Sequence, residues 1–389
     1  MKIAVYGGSF NPPHLGHIEA AKTVVRELNP DKLIIIPDNI PPHKELADNS
    51  PSPDERMELC RLAFGDIPGA EISDIEINRE GKSYTADTVD ELKELYPDSD
   101  FYLVIGTDML TSFEEWYRFE HLLSACTLTV LSREEDDSAK IREAAQKLKA
   151  DYKGNIIILS HQPLVMSSSE IREKLRSRLG SELLKDEVYS CIIKNNFYDA
   201  LPELSWLREK VYEYLDSKRV AHVMGCESEA VQLARTWGED EETAATAAIL
   251  HDITKNLSYE EHLAMCLKYS VHCDPKLLAE PKLLHAVTGA AFSRDLFGIS
   301  DDIYNAIRWH TTGKPDMTLL EKIIYLADYI EPTRDFDGVE KLRELAYRDI
   351  DKAMAAGLEM SISDIRRKGQ EPYIDSLEAC VYYNTEGED

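Results

Sequence analysis

The stretch Gly7-Gly-Ser-Phe-Asn-Pro-Pro-His-Leu-Gly-His17 follows a short apolar strand, Met1–Tyr6, and leads directly into an amphipathic helix. The paired glycines allow the backbone to turn sharply and to approach a ligand closely. His14 and His17 are three residues apart, so we expect both side chains on one face of the first helical turn. Free amides and the helix dipole already favour an anion there. The stretch therefore predicts a phosphate site in which two imidazoles stabilise developing charge.

The first half of the chain alternates short apolar runs with amphipathic segments. The strand-like runs are Lys2–Tyr6, Leu33–Ile36, Glu71–Ile75, Phe101–Ile105, Thr127–Leu131 and Ile156–Leu159. The helical segments include Ile18–Leu28, Asp54–Phe64, Ala86–Tyr96 and Ser138–Lys149. Apolar strands that alternate with helices predict an α/β fold with a Rossmann-like, doubly wound parallel sheet. In such sheets, ligands bind at the carboxyl ends of the strands.

The second half contains helical patterns and no strand-like run, so we expect it to be all-α. The expected helices are Leu204–Lys218, Glu227–Trp237, Glu241–Ile249, Tyr259–Tyr269, Pro281–Phe297, Ser300–His310, Leu319–Tyr329 and Asp349–Lys368. The pattern changes near Asn195–Pro202, where two asparagines and a proline interrupt the helix. We therefore predict two domains, residues 1–197 and residues 203–385.

Composition and charge restrict the possible partners. The 389 residues are 43% hydrophobic and 30% charged, and no apolar run approaches the length of a membrane span. The chain opens directly on a strand, so we expect no signal peptide. The seven scattered cysteines include no Cys-x-x-Cys pair, which favours a cytoplasmic protein. The net charge of −28 repels nucleic acid and anionic membranes, so phosphate must be bound by local groups.

A second possible phosphate site lies at Met166-Ser-Ser-Ser-Glu-Ile-Arg172. Ser167, followed three residues later by Glu170, predicts a capping box at the start of a helix. Amides and hydroxyls at that position would face a phosphate, with Arg172 one turn further on. A plain helix cap explains the same residues, but the nearby histidine motif favours phosphate binding.

The second half carries an adjacent pair, His251-Asp252, at the end of the apolar helix that includes Ala244–Leu250. Such a helix end needs a metal ion or a hydrogen-bond network, because buried polar groups are costly without partners. Further polar residues occur in separate helical patterns, namely His222, His285, His310 and Asp328. Their recurrence around a buried His-Asp pair predicts a metal site.

The first-half motif resembles the His-x-Gly-His signature of the nucleotidyltransferase superfamily. Further residues within 1–197 are similar to bacterial nicotinate mononucleotide adenylyltransferases of the NadD family. They are Pro42-His43-Lys44, Arg56, Ser83-Tyr84-Thr85 with Thr88, Gly106-Thr107-Asp108, Trp116-Tyr117, Arg133 and Met166–Arg172. The chain departs from the family in having Asn11 where Asp is usual and Met166–Ser169 where Ile-Ser-Ser-Thr is usual.

This resemblance implies a Mg²⁺-dependent reaction of ATP with nicotinate mononucleotide, giving deamido-NAD and pyrophosphate. His14 and His17 would be catalytic and hold the triphosphate. The implied nucleotide-site residues are Gly7, Gly8, Ser9, Phe10, Gly106 and Asp108. Thr85, Trp116, Tyr117 and Arg133 would surround nicotinate mononucleotide, and Lys44, Ser167, Ser168 and Arg172 would contribute phosphate contacts.

The second-half motifs resemble the HD phosphohydrolases, and in particular the YqeK family of symmetrical diadenosine tetraphosphate hydrolases. The motifs are Leu250-His-Asp-Ile-Thr-Lys255, His285–Ala290, Arg308-Trp-His-Thr-Thr-Gly313 and Tyr325–Pro332. The resemblance implies iron, or another divalent metal, held by His222, His251, Asp252 and Asp328. Asp252 would also orient the nucleophile, while Arg219, Lys255, His285 and His310 would bind phosphate.

The sequence thus indicates a bifunctional cytoplasmic enzyme acting on small nucleotides, with no nucleic-acid or membrane partner. A homo-oligomer remains open, as do the identity of the metal and a different acceptor for the nucleotidyltransferase in the first half. Two alternatives also remain for the second half. It could act on another nucleotide such as (p)ppGpp, or it could be a non-catalytic nucleotide sensor that regulates the transferase.

Overall fold

In a computed structural model the chain divides into two compact units, Met1–Leu201 and Pro202–Asp389. The structure describes residues 1–41, 46–47, 49–131, 138–159 and 166–385. Across these ranges, no helix combines the length and apolar character that a membrane span requires.

The first unit contains a six-stranded sheet in which every neighbouring pair of strands is parallel. The strands are β1 Lys2–Gly8, β2 Lys32–Pro37, β3 Ala70–Ile72, β4 Asp100–Gly106, β5 Thr127–Leu131 and β6 Ile156–Ile158. Their order is β3-β2-β1-β4-β5-β6, which reverses direction between β1 and β4. The predicted doubly wound parallel sheet is therefore confirmed, and its ligand-binding crevice is expected at this reversal.

Helices connect the strands. They are α1 Leu15–Leu28, α2 Pro53–Phe64, α3 Thr85–Leu95, α4 Thr107–Thr111, α5 Phe119–Ala125, α6 Ser138–Tyr152, α7 Ser168–Arg176 and α8 Asp186–Lys194. Local sequence explains where they begin. At α2, for example, Ser52 forms a capping box with Glu55 and Pro53 occupies the first helical position. Alternate side chains of β1, β4 and β5 pack with α3 and α6 into one apolar core.

The second unit is helical throughout its described part, as predicted. Its helices are α9 Leu204–Tyr212, α10 Ser217–Trp237, α11 Glu241–Leu250, α12 Tyr259–Lys268, α13 Pro275–Leu278, α14 Pro281–Phe297, α15 Asp301–Trp309, α16 Leu319–Ile330, α17 Val339–Ala346, α18 Ile350–Arg367 and α19 Ile374–Thr385. Helix α10 packs against both α11 and α16, and α15 packs against α14 and α16. Helix α11 is buried on every side from Ala244 to Leu250.

The structure corrects two expectations in this unit. The expected helix Leu204–Lys218 is wrong, because α9 ends at Tyr212 and Asp216 caps a new helix. The Asp216 Oδ1 atom accepts hydrogen bonds from the amides of Lys218 and Arg219, both at 2.9 Å. Helix α10 then continues unbroken to Trp237, so no helix begins at Glu227. Helices α13, α17 and α19 were not anticipated.

Candidate active sites

The motif after β1 lies at the reversal in strand order. Gly7 and Gly8 are the last residues of β1, and Gly106 is the last residue of the neighbouring β4. A side chain on Gly8 would come within 3.3 Å of the Phe10 ring. Phe10 itself has a positive φ of 42° and is buried against Phe64 and the edge of His17. The absence of a side chain at Gly8 therefore allows the Phe10 ring to pack against the backbone of the loop that follows β1.

His14 and His17 form an unusual reciprocal cap at the start of α1. His14 is the N-cap residue rather than part of the first turn, which corrects the expectation. Its Nδ1 accepts from the His17 amide at 3.4 Å, and the His17 Nδ1 accepts from the His14 amide at 3.2 Å. The two rings stack with centroids 3.7 Å apart. Since each Nδ1 is an acceptor, each Nε2 carries the ring proton and is a donor suited to phosphate.

Hydrogen bonds from residues that are distant in sequence fix the loop between β1 and α1. The Arg172 Nη1 donates to the Asn11 carbonyl at 2.6 Å, and the Tyr198 hydroxyl donates to Asn11 Oδ1 at 2.8 Å. Ser168 Oγ donates to the Pro12 carbonyl at 3.2 Å. Burial lowers the pKa of Arg172. In this structure Arg172 and Ser168 position the loop, a role that the sequence did not indicate.

Arg56 is a second loop-positioning residue whose contacts the sequence did not reveal. Its side chain is completely buried. It donates to the Ser9 carbonyl at 2.9 Å, to the Asp38 carbonyl at 2.7 Å and to Asp38 Oδ1 at 3.1 Å. It thus ties the end of β1 to the end of β2. Helical periodicity does not predict that an arginine in an amphipathic helix is buried, so only the family resemblance pointed to Arg56.

The residues expected around nicotinate mononucleotide lie on two neighbouring segments. Thr85 begins α3 and follows Tyr84, whose ring lies 4.7 Å from that of the exposed Tyr117. Trp116 is half-buried and packs on Phe113 with ring centroids 5.1 Å apart. The side chains thus offer flat aromatic surfaces near the start of α3.

Several other expected residues have defined positions. Gly106 is the N-cap of α4, and Asp108 lies exposed in its first turn. Ser167 caps α7 by accepting the Glu170 amide at 3.2 Å, so one half of the expected capping box is present. Lys44 and Arg133 lie outside the described residues.

In the second unit, the expected metal and phosphate residues converge on one point. They come from α10, from the end of α11, from α14, from the C-cap of α15 and from α16. The side chains are His222, His251, Asp252, Lys255, His285, His310, Asp328 and Arg219.

Asp252 is the centre of this cluster. Its Oδ2 lies 2.6 Å from the Arg219 guanidinium, 3.5 Å from His251 Nε2 and 3.7 Å from His222 Nε2. Its Oδ1 lies 3.1 Å from His285 Nε2 and 3.7 Å from His310 Nε2. The two oxygens of one carboxylate therefore face two different sets of imidazoles.

Three of these histidines are held in the same way. The Nδ1 atoms of His251, His285 and His310 lie 2.6 to 2.7 Å from the carbonyl oxygens three residues earlier. Each ring therefore donates its Nδ1 proton and turns a lone pair on Nε2 towards the centre, as metal-binding histidines do. The Nε2 atoms of His285 and His310 are only 3.1 Å apart. The Lys255 ammonium lies 3.0 Å from His285 Nε2 and supplies a positive charge beside these two nitrogens.

The arrangement fits a divalent metal ion. His251 Nε2 and Asp252 Oδ1 are buried and have no hydrogen bond of good geometry within the described residues, although His285 lies near Oδ1. Ligand atoms about 2.1 Å from one ion lie about 3.0 Å apart at right angles and about 4.2 Å apart when opposite. His222 Nε2 lies 3.0 Å from Asp328 Oδ1 and 3.7 Å from Asp252 Oδ2, which matches that range.

Candidate ligand atoms form two overlapping groups that share His251. One group contains His222, Cys226, His251 and Asp328, and the other contains His251, Asp252 and His310. Cys226 was not anticipated, and His310 lies among possible metal ligands although the resemblance gave it a phosphate-binding role.

The electrostatics of the cluster favour a charged Asp252. Burial would raise the pKa of Asp252, but the charge and hydrogen bonds of His251, with His285 and His310, hold it well below its ordinary value. Burial lowers the pKa of His285 to about 4 and also lowers that of His310. Burial opposes the charged form of His251 too, yet the adjacent Asp252 raises its pKa. The site therefore combines an ionised Asp252 with neutral His285 and His310 side chains, which favours binding of a cation.

Outer contacts support the inner residues, and the sequence did not single them out. His222 Nδ1 lies 3.1 Å from Glu331 Oε1, and Glu331 is fully buried. The Arg334 guanidinium donates to Asp328 Oδ1 at 2.6 Å. Glu331 is the C-cap residue of α16 and follows Asp328 by three positions, and this short separation was the one sign in the sequence of a second carboxylate beside the site.

The two units are similar to two different groups of known proteins. A cytidylyltransferase-like family model matches residues 5–174, and an HD domain model matches residues 219–333. A probable nicotinate-nucleotide adenylyltransferase of Fusobacterium nucleatum subsp. nucleatum is 38% identical over 51% of this chain and 100% of that protein. A symmetrical bis(5'-nucleosyl)-tetraphosphatase of Halalkalibacterium halodurans is 41% identical over 43% of this chain and 89% of that protein. A probable nicotinate-nucleotide adenylyltransferase/Ap4A hydrolase of Mycoplasma genitalium is 28% identical over 86% of this chain and 88% of that protein.

Fold and sites together define a nucleotidyltransferase-type α/β unit followed by an HD unit with a candidate metal site. The chain belongs to the nicotinate-nucleotide adenylyltransferase family through its first unit and to the symmetrical bis(5'-nucleosyl)-tetraphosphatase family through its second. Both resemblances seen in the sequence are therefore confirmed.

Proposed function

We propose that this protein is a bifunctional enzyme with domains close to residues 1–197 and 203–385. The first transfers the adenylyl group of ATP to nicotinate mononucleotide, and the second hydrolyses diadenosine tetraphosphate to two molecules of ADP. The main support for this proposal is that a relative named as both a nicotinate-nucleotide adenylyltransferase and an Ap4A hydrolase aligns with 86% of the chain. We also infer a cytoplasmic location, since all seven cysteines are free thiols.

In adenylyl transfer, a phosphate oxygen of nicotinate mononucleotide forms a bond to the α-phosphorus of ATP. The bond between the α-phosphorus and the bridging oxygen breaks, and pyrophosphate leaves. ATP enters with its Mg²⁺. The Nε2 protons of His14 and His17 and the first amides of α1 stabilise charge on the phosphoryl oxygens. The reciprocal cap matters because it fixes both rings before substrate arrives.

The remaining first-unit residues orient the two substrates. Gly7, Gly8, Ser9 and Phe10 border the nucleotide, with Gly106 and Asp108 on the neighbouring strand end. Thr85, Trp116 and Tyr117 contact nicotinate mononucleotide, where an aromatic face stacks on the pyridine ring. Lys44, Arg133 and Ser167 supply further polar contacts. Arg172 and Ser168 act through the loop that they hold.

In the second unit, His222, His251, Asp252 and Asp328 would hold a divalent metal ion, which we propose to be iron. A bound ion would supply Lewis acidity, which withdraws charge from a phosphoryl group and makes water a better nucleophile. Arg219 and Lys255 neutralise phosphate charge beside Asp252, and His285 and His310 line the same centre. Water adds to one inner phosphorus atom, and the bridging bond to the other inner phosphate breaks. Asp252, held ionised, orients the water.

The proposal is tested by turnover assays of the purified full-length protein. We expect higher kcat/KM with nicotinate than with nicotinamide mononucleotide, because an amide would leave donors of a carboxylate site unpaired at about 1–3 kcal/mol each. We expect diadenosine tetraphosphate to yield only ADP. Equal kcat/KM for the two mononucleotides would contradict the first assignment. Faster hydrolysis of (p)ppGpp would show that the second unit acts on that nucleotide instead. Nucleotide binding without turnover would show that the second unit is a non-catalytic sensor.

A further inference from the structure

A buried thiol lies one helical turn beyond His222 on α10. Cys226 is 1% exposed, and its Sγ lies 3.4 Å from His222 Nε2 and 3.7 Å from His222 Nδ1. The nearer nitrogen, Nε2, is the one that His222 turns towards Asp328, at 3.0 Å. The farther nitrogen faces Glu331. The thiol thus lies on the metal side of the imidazole.

Its position agrees with shared coordination of one ion. The ligand atoms of His222, Cys226, His251 and Asp328 all lie within 4.8 Å of one another. A nitrogen at about 2.1 Å and a sulfur at about 2.3 Å from one metal lie about 3.1–3.6 Å apart for angles between 90° and 109°. The observed 3.4 Å between Sγ and His222 Nε2 falls inside this interval.

An independent observation indicates that this group needs a cation. His251 is completely buried, and its Nε2 has no hydrogen bond within the described residues. The same nitrogen belongs to the group that contains Cys226. A metal ion bound within this group, beside the Cys226 sulfur, would give the buried nitrogen a partner.

We propose that Cys226 binds the metal of the second unit as a thiolate, beside His222, His251 and Asp328. This inference rests on the proposed metal-dependent hydrolase function. On binding, the S–H bond breaks, a bond between Sγ and the metal forms, and the proton leaves to bulk water. A sulfur donor makes the site favour iron, cobalt and zinc over magnesium, manganese and calcium.

The test uses the full-length protein, stripped of metal by a chelator and refilled with Co²⁺. We expect visible d–d absorption together with a near-ultraviolet thiolate-to-cobalt charge-transfer band. The Cys226→Ser variant should lose the near-ultraviolet band and bind Co²⁺ about tenfold or more weakly, whereas its affinity for Mn²⁺ should change less. As a matched control, Cys266→Ser, which removes another buried thiol of the same unit, should keep both bands.

The possible outcomes separate the two proposals. Cobalt d–d bands without the near-ultraviolet band in the unaltered protein would overturn sulfur ligation, and this reading does not depend on whether any variant folds. The same conclusion follows if Cys226→Ser keeps the band. Absence of all cobalt absorption would overturn the metal site itself, and with it the proposed hydrolase function.

Discussion

At the scale of single residues, both sites rely on imidazole nitrogens whose proton positions are fixed by backbone contacts. In the first unit, two Nδ1 atoms accept amide protons, so the outward nitrogens are donors for phosphate. In the second unit, three Nδ1 atoms donate to carbonyls, so the inward nitrogens are acceptors for a metal. The backbone group that contacts Nδ1 thus decides whether Nε2 of a histidine is a hydrogen-bond donor, as in the first unit, or an acceptor, as in the second.

His17→Ala should lower the kcat of adenylyl transfer by about 100-fold or more, because it removes a donor to transition-state charge. The loss of half of the reciprocal cap should also cost about 0.5–2 kcal/mol of stability. Steady-state kinetics and thermal unfolding measure the two effects. Lys22→Ala, which alters an exposed residue of the same helix, serves as the control. Unchanged kcat in folded His17→Ala protein would reject the assigned role.

Glu331→Gln should weaken metal binding by about 10- to 100-fold, because His222 loses the carboxylate that orients its ring. Chelator competition measures the dissociation constant. Glu340→Gln is the matched control, since Glu340 is exposed and pairs only with Arg343 among the described residues. If the two variants bind metal equally well, Glu331 does not position His222.

At the scale of elements, α10 contributes three side chains to the second site, and the residue at which the helix starts determines its register. Asp216 caps the helix, so Arg219, His222 and Cys226 follow on successive turns and face the cluster. Gly225 lies beside them, and a side chain there would come within 2.5 Å of Glu331 Oε2. The close approach of α10 to the end of α16 thus depends on the absence of a Cβ atom.

Two glycine-to-alanine changes in helices should have opposite effects. Gly225→Ala should destabilise the second unit by about 1–3 kcal/mol through overpacking, and it should weaken metal binding. Gly357→Ala in α18 should stabilise it by up to about 1 kcal/mol, because its nearest contacts would be ordinary ones at 3.7–3.8 Å. Thermal unfolding of the two full-length variants measures both shifts. Equal shifts in one direction would show that helix propensity alone governs both positions.

At the scale of the whole molecule, an acidic chain of net charge −28 would have to bind its proposed anionic nucleotide substrates through local groups. Each compact unit has its own candidate phosphate-binding groups, with imidazole and amide donors in one and the proposed metal ligands with Arg219 and Lys255 in the other. Each is also of a size that can sustain its own hydrophobic core. We therefore expect the two activities to be independent.

The double change His251→Ala, Asp252→Ala should abolish metal binding and dinucleotide hydrolysis, because two of four proposed ligands are lost. The same protein should still make deamido-NAD at a near-normal rate. Metal content and both turnover rates are measured on one preparation. Loss of adenylyl transfer in folded protein would indicate coupling between the units and would favour a regulatory sensor.

Local sequence patterns were enough to predict the fold class, nearly all strands and most helices, because those features depend on periodicity and on capping residues. They also identified the histidine motif after β1 and the His251-Asp252 pair, since their members are neighbours along the chain. The misplaced start of α10 shows the limit of periodicity, because the Asp216 cap, and not the apolar pattern, decides where that helix begins.

Only the tertiary structure decided which distant groups meet. Glu331 reaches His222 across 109 positions, and Arg172 reaches Asn11 across 161. The role of Cys226 likewise depends on the packing of α10 against α11 and α16, which brings its sulfur close to His251 and Asp328. These contacts between residues distant in sequence form only when helices and strands pack together. They cannot be predicted from a local stretch of sequence, because packing depends on the whole core.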